Sequence, residues 1–198
     1  MSIPFRLSAS YWTYFFYGGI SMPWWPVWLS SRGLSEVEIA DLLAFERLVI
    51  VAASLVVAHY ADRTGHRRRI LLLFAAGMTI GYAMFGLAAA YWHFFAVAAF
   101  TAVCRSPLIP LSDSITMAHV RQGNAEYGKV RLWGTISFII GSYAGGGILA
   151  YLSDDMILWG IVLSCVFVVV GFWVLPDTRS EGVAPHFSAG FRLATRPI

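Results

Sequence analysis

The sequence predicts an all-α, polytopic membrane protein with six transmembrane helices. Its 198 residues are 58% hydrophobic and only 13% charged, with a mean hydropathy of +0.67, whereas soluble domains carry about 25% charged residues. Apolar runs long enough for a span of ~20 residues recur six times. Cys104 and Cys165 lie inside apolar runs and offer no disulfide or metal-ligand pattern. We therefore expect no metal site and no cofactor.

The six spans are placed by these runs at residues 8–29, 39–60, 70–90, 94–115, 132–152 and 156–175. Six spans leave both termini on the same side of the membrane. Of the 14 Lys and Arg residues, 11 fall on that side and only Arg32 on the other. Because loops rich in Lys and Arg stay in the cytoplasm, we expect a cell inner-membrane protein with cytoplasmic termini. The cations form no continuous patch, so nucleic acid is not an expected partner.

The first span is dense in aromatic residues and is interrupted by Pro23 and Pro26. Tyr14 and Tyr17 are three residues apart and share a helix face. A phenol that faces lipid lacks a partner for its hydroxyl group. We therefore expect this face to look into the protein or a wet cavity, with a packed pair of tyrosines between helices as an equal alternative.

The second span carries two ionisable residues, Glu46 and Arg47, well inside the apolar run. Such a group costs roughly 2.5 to 3.5 kcal/mol on insertion scales, so a partner is expected. Adjacent helical residues point ~100° apart and are poor mutual partners. Arg105 in the fourth span lies at a comparable depth, which predicts a Glu46–Arg105 pair. The pair either fixes helix packing or includes a carboxylate that titrates. Snorkelling of its side chain to the interface is the alternative for Arg47.

A charged loop, residues 58–70, joins the second and third spans and reads Ala-His-Tyr-Ala-Asp-Arg-Thr-Gly-His-Arg-Arg-Arg-Ile. The positive-inside rule explains its arginines but not Asp62, Arg63 and Gly65 at this spacing. With Arg67, these residues resemble the signature loop of the major facilitator superfamily. The resemblance implies a loop that latches the outward-open state through a charge contact at the inner face.

The fourth span contains residues 105–114, Arg-Ser-Pro-Leu-Ile-Pro-Leu-Ser-Asp-Ser. A helix so broken and polar is tolerated in a membrane only against protein or water, so we expect it to face a cavity. The fifth span opens with residues 127–134, Tyr-Gly-Lys-Val-Arg-Leu-Trp-Gly, and Gly141 and Gly145 then allow another helix to approach closely. Together with Pro-Trp-Trp-Pro-Val-Trp-Leu at residues 23–29, these motifs resemble the phenylpropionate permease family.

The entry to the fifth span is also similar to lactose permease-type proton symporters. In those proteins an arginine at this entry pairs with an acidic residue near the end of the fourth span and binds substrate. The resemblance makes Asp113 and Arg131 substrate-site candidates, beside Tyr14 and Tyr17. The alternative is that Arg131 merely sits at the inner interface, where cations are favoured.

Taken together, the resemblances imply half of a twelve-helix permease, built from two inverted three-helix repeats. Residues 1–176 would form the six-helix bundle, and residues 177–198 a cytoplasmic central-loop tail that leads to a second half. The implied function is symport of a phenylpropionate-like acid with a proton, coupled through Glu46 or Asp113. Sugar or nucleoside symport and a non-transporting assembly factor are the alternatives. The sequence contains no nucleophile-and-base constellation and no phosphate loop, so we do not expect an enzyme.

Overall fold

The computed structural model describes residues 2–64 and 66–176, without the side chains of residues 58–64. The tail expected at residues 177–198 lies outside the described part. Seven α-helices and no strand occur in that part, as the sequence predicts for an all-α protein. They are α1 (Ile3–Ser31), α2 (Glu36–Thr64), α3 (Arg67–Phe85), α4 (Tyr91–Arg105), α5 (Leu108–Arg121), α6 (Tyr127–Tyr151) and α7 (Asp155–Val174).

The helices α4 and α5 together form the predicted fourth span, interrupted at Ser106 and Pro107. Proline has no backbone N–H and its ring crowds the preceding turn, so the helical ladder is broken there. The Ser106 amide still donates to the Ala102 carbonyl at 3.0 Å, and the Leu111 amide donates to the Pro107 carbonyl, also at 3.0 Å. The chain therefore continues across the membrane with Arg105 placed at the break.

Four segments of the described part are long and apolar enough to cross a membrane: α3, α4 with α5, α6, and α7. The helices α1 and α2 have 29 residues each, which is ample length for a span, but contain more polar residues. Tyr17 on α1 and Glu46 on α2 are both buried against other helices. These two polar side chains therefore face the bundle interior, where a membrane protein tolerates them.

The helix α1 lies at the centre of the packing, between α6 and α7, while α3 packs against α4 and α7. The contact between α1 and α6 is made by glycines. The Cα of Gly141 lies against the Phe16 carbonyl so closely that a Cβ there would clash with backbone. Across the same contact, Ser142 Oγ donates to the Gly19 carbonyl at 3.1 Å, and Trp24 Nε1 donates to the Ser142 carbonyl at 3.0 Å. The predicted close approach thus occurs between the fifth and first spans.

The carboxyl end of α7 is fixed by arginines of two other helices. Arg6 of α1 donates from Nε to the Val174 carbonyl at 2.6 Å and from Nη2 to the Leu175 carbonyl at 3.3 Å. Arg68 of α3 donates from Nη2 to the Trp173 carbonyl. The last carbonyls of a helix have no partner within the helix, so these guanidinium groups satisfy them and join three helix ends.

We expect Gly141→Ala to destabilise the bundle, because its methyl group would meet the Phe16 carbonyl. Overpacking of this kind costs about 1 to 3 kcal/mol of unfolding free energy, measured by chemical unfolding in detergent. Gly147→Ala on the same helix is the matched control, since a Cβ there meets nothing within 4 Å. That change should be neutral or stabilising by up to about 1 kcal/mol. Equal effects of the two substitutions would contradict the packing described.

Candidate functional site

A cavity of about 440 Å³ opens near the middle of α1 and α2, within the size range of small-molecule sites. It is lined by residues of α1, α2, α3, α4 and α6, and two features of the lining stand out. One is a wall of aromatic side chains, and the other is a group of three ionisable side chains. The aromatic residues are Tyr14, Phe15, Tyr17, Trp25, Tyr82 and Phe138, and the ionisable ones are Glu46, Arg47 and Arg105.

Part of the cavity wall is a polar network around Arg105. Its Nη2 lies 3.2 Å from Glu46 Oε2, and its Nη1 donates to the hydroxyl groups of Tyr17 and Tyr82, each at 3.4 Å. The two hydroxyl groups are 2.7 Å apart. The Glu46 side chain is 6% exposed and that of Arg105 is 15% exposed. Because each residue comes from a different helix, the network joins α1, α2, α3 and α4.

The sequence predicts the pair between Glu46 and Arg105 from the free-energy cost of an unpaired charge in a membrane, and the structure contains this pair. Sequence reasoning did not identify Tyr82, the third-helix member of the network. A tyrosine in an apolar run gives little signal, since it is equally suited to a membrane interface. Only its proximity to the Tyr17 hydroxyl shows that Tyr82 belongs to the site.

The other cavity arginine, Arg47, differs from Arg105 in having no ion-pair or hydrogen-bond partner among the described residues. It makes no ion pair or hydrogen bond to any residue that the structure describes, and its side chain is exposed. Glu46 forms its ion pair with Arg105, so Arg47 has no ion pair of its own among the described residues. With two guanidinium groups and one carboxylate, the cavity wall carries a net positive charge of about one unit if all three groups are ionised.

Tyr14 and Tyr17 both line the cavity, and their rings contact each other edge to face with centroids 5.8 Å apart. Tyr17 is buried, and Tyr14 is half-buried. This face of α1 therefore lines a cavity, and the tyrosine pair that packs between helices is Tyr17 with Tyr82 of α3, whose ring centroids are 5.7 Å apart.

Asp113 and Arg131 lie outside this cavity lining and do not contact each other directly. Arg131 Nη1 donates to the Tyr127 hydroxyl at 3.1 Å, and that hydroxyl donates to Asp113 Oδ1 at 3.4 Å. The Tyr11 hydroxyl donates to the same oxygen. Tyr127 intervenes because it begins α6, one turn before Arg131. The similarity to lactose permease-type proteins implied a direct pair, and the structure instead shows a chain through a phenol.

The loop residues that resemble the superfamily signature are only partly described. The side chains of Asp62 and Arg63, and all of Gly65, lie outside the described residues, while Arg67 begins α3. The latch that the resemblance implies for them stays a prediction.

A second, larger groove of about 850 Å³ runs between the first turns of α1 and the start of α6. Its lining is mainly apolar and includes Trp12 and Trp133, whose rings are 6.0 Å apart. The charged residues on its rim, Glu126 and Lys129, pair with each other at 2.9 Å. The groove therefore offers no uncompensated charge to orient a polar solute. Among the described residues, no group of three His, Cys, Asp or Glu could hold a metal ion.

We expect Arg105→Met to destabilise the protein by about 3 to 5 kcal/mol, because it leaves the buried Glu46 carboxylate without its cation. The measurement is the free energy of unfolding in detergent. Lys129→Met is the control, since the Lys129–Glu126 pair is exposed on both sides and such pairs contribute about 0 to 1 kcal/mol. Equal losses in the two variants would contradict a structural role for the buried pair.

Comparison with known proteins places the chain in a family. The model of the MFS_1 like family matches residues 5–181. The chain is 32% identical over 182 residues to the "Probable 3-phenylpropionic acid transporter" of Escherichia coli (strain K12), covering 90% of this chain and 47% of that protein. It is 29% identical over 157 residues to the maltose permease of Geobacillus stearothermophilus, covering 78% of this chain and 39% of that protein.

Among solved structures, the crystal structure of the nucleoside transporter NupG matches with a TM-score of 0.79 at 14% identity. The match covers 98% of this chain and 51% of that one. The six-span arrangement predicted from the sequence is thus that of a known transporter fold, and the chain spans about half the length of the relatives it matches. Proteins of this kind are transporters and not enzymes, in agreement with the sequence. The chain belongs to the MFS_1 like family of major facilitator permeases.

Proposed function

We propose that the chain forms one six-helix half of a carrier that takes up a small aromatic carboxylic acid together with a proton, by alternating access. The observation that carries the proposal is the central cavity, which combines an aromatic wall with one more arginine than carboxylates. Aromatic rings pack favourably against one another in offset or edge-to-face arrangements. A guanidinium group offers forked donors that match a carboxylate.

The family relationship supports the same substrate class. The Escherichia coli relative that shares 32% identity with the chain is named for 3-phenylpropionic acid. This acid has one aromatic ring and one carboxylate, which are the two groups that the cavity lining suits. We therefore take 3-phenylpropionate as the representative substrate.

Sugar or nucleoside transport is the second candidate, since a maltose permease and the nucleoside transporter NupG are also similar to the chain. The Tyr17 and Tyr82 hydroxyl groups could serve a neutral solute, but they already bond to each other and to Arg105. The uncompensated charge of Arg47 would find no partner in a neutral substrate. A charged substrate accounts for it better.

The proposal includes a second six-helix half, from the same protein or another copy, because alternating access needs two lobes that rock about a site between them. Tyr14 and Tyr17 would line this half's wall of the site. We also propose that the termini are cytoplasmic and the membrane is the inner membrane, because the Lys and Arg residues concentrate on the side of the termini.

Asp113 is the proposed proton-coupling residue. Both phenol contacts, from Tyr11 and Tyr127, go to its Oδ1 atom, and the described residues provide no cation in direct contact. A proton can therefore be held on Oδ2 without breaking either contact. Glu46 is less suited to this role because its carboxylate is the ion-pair partner of Arg105, and protonating it would leave that buried guanidinium group without its counter-charge. Arg131, linked to Asp113 through Tyr127, would communicate the change of charge.

The substrate class can be tested by binding to the 198-residue chain, paired with a second six-helix half, in lipid nanodiscs. We expect saturation-transfer NMR to detect binding of 3-phenylpropionate. An excess of the unlabelled acid should displace labelled acid, whereas maltose and uridine should not. Binding of maltose or uridine in preference to the acid would contradict the proposal and favour the second candidate.

The role of Asp113 can be tested with Asp113→Asn in the chain paired with a second six-helix half. Asparagine imitates the protonated carboxyl group, so exchange of labelled for unlabelled substrate should continue in proteoliposomes. Accumulation driven by a pH gradient should fall to the passive level. Gradient-driven accumulation at the wild-type level would rule out Asp113 as the coupling residue.

A further inference from the structure

We propose that Arg47 is the residue that binds the substrate carboxylate and that it selects acids over neutral analogues. The inference rests on the proposed function and goes beyond it, because it assigns one residue among three candidate arginines. It also gives the substrate an orientation, with its carboxylate toward α2 and its ring toward α1 and α6.

The first step excludes Arg105 as the anion-binding group. Its two terminal nitrogens are both engaged, Nη2 by the Glu46 carboxylate and Nη1 by the two phenol hydroxyl groups. A substrate carboxylate would have to displace Glu46, which would leave that buried group without its cation. Arg105 therefore serves to hold the helices together, while its charge is matched within the protein.

The second step separates Arg131 from the cavity. Arg131 is not among the residues that line it. Its guanidinium group lies 5.6 Å from the Phe15 ring centroid and 6.0 Å from that of Tyr127, and it donates to the Tyr127 hydroxyl. These contacts fix Arg131 at the start of α6, near Asp113. It contacts one residue of the aromatic wall, Phe15, but it does not itself line the cavity.

The third step concerns the placement of Arg47 itself. Glu46 and Arg47 are neighbours on α2 and point ~100° apart. Since Glu46 points toward Arg105, Arg47 is directed along a different side of the helix, and it lines the cavity beside Tyr14, Trp25 and Phe138. Its N–H donors have no acceptor in the part of the chain that the structure describes. A ligand with one carboxylate supplies that acceptor, and its ring can then pack on the aromatic wall.

A single uncompensated charge also limits the ligand class. One substrate carboxylate can pair with Arg47. A second carboxylate would find only Arg105 in this half of the site, and Glu46 already neutralises that residue. We therefore expect an aromatic monocarboxylate to bind better than its neutral alcohol. The comparison of 3-phenylpropionate with 3-phenylpropan-1-ol isolates the charge, because the two differ only in the terminal group.

The test measures the dissociation constants of these two compounds by NMR titration of the 198-residue chain, paired with a second six-helix half, in nanodiscs. A charge-assisted contact predicts that the wild-type chain prefers the acid by about tenfold or more. Arg47→Gln should weaken acid binding by a similar factor and leave alcohol binding unchanged, so the preference disappears. Arg121→Gln is the matched control, an exposed arginine at the end of α5 outside the cavity lining, and should keep the preference.

Arg47→Lys is a second variant that keeps the charge but loses the forked donors, and its preference for the acid should be intermediate. An unchanged preference in Arg47→Gln would overturn the inference; the arginine would then serve another purpose, such as pairing with a carboxylate of a second half. A wild-type chain that binds maltose or uridine but not the acid would instead overturn the proposed function. The two failures are therefore distinguishable.

Discussion

The ion pair between Glu46 and Arg105 is the interaction on which the rest of the bundle depends. Both side chains are largely buried within membrane-spanning helices, where an unpaired charge is costly. Arg105 occupies the break between α4 and α5, and Tyr17 and Tyr82 extend its contacts to α1 and α3. Four helices are therefore held at one point by groups that cannot separate without exposing a charge to apolar surroundings.

The same pair determines the electrostatics of the cavity. Glu46 neutralises Arg105, so the remaining positive charge belongs to Arg47, which faces the same cavity without a protein partner among the described residues. An arrangement of one satisfied and one unsatisfied arginine suits a site that must both hold its own helices and bind an anion. The aromatic wall contributed mainly by α1 then favours a ligand with a ring. Under the proposed function, structural stability depends on Arg105 and substrate selection on Arg47.

Much of this organisation follows from the sequence, because membrane insertion imposes strict costs. The cost of a buried charge predicted the Glu46–Arg105 pair, and Pro107 and Pro110 predicted a broken fourth span. The position of Tyr127 between Asp113 and Arg131 did not follow, since it depends on where α6 begins relative to α5. Arg47 gave no clear signal either: an arginine in an apolar run either snorkels or faces a cavity, and only the placement of neighbouring helices distinguishes the two.

The most direct test of this account is a double-mutant cycle on the pair, with Glu46→Met, Arg105→Met and the double variant, measured as free energies of unfolding in detergent. We predict that each single change costs several kcal/mol, because it leaves one buried charge unpaired. The double variant should cost far less than the sum, since a buried pair can be replaced by apolar residues with little loss. Effects that add within about 0.5 kcal/mol would contradict the account, because residues that interact do not behave independently.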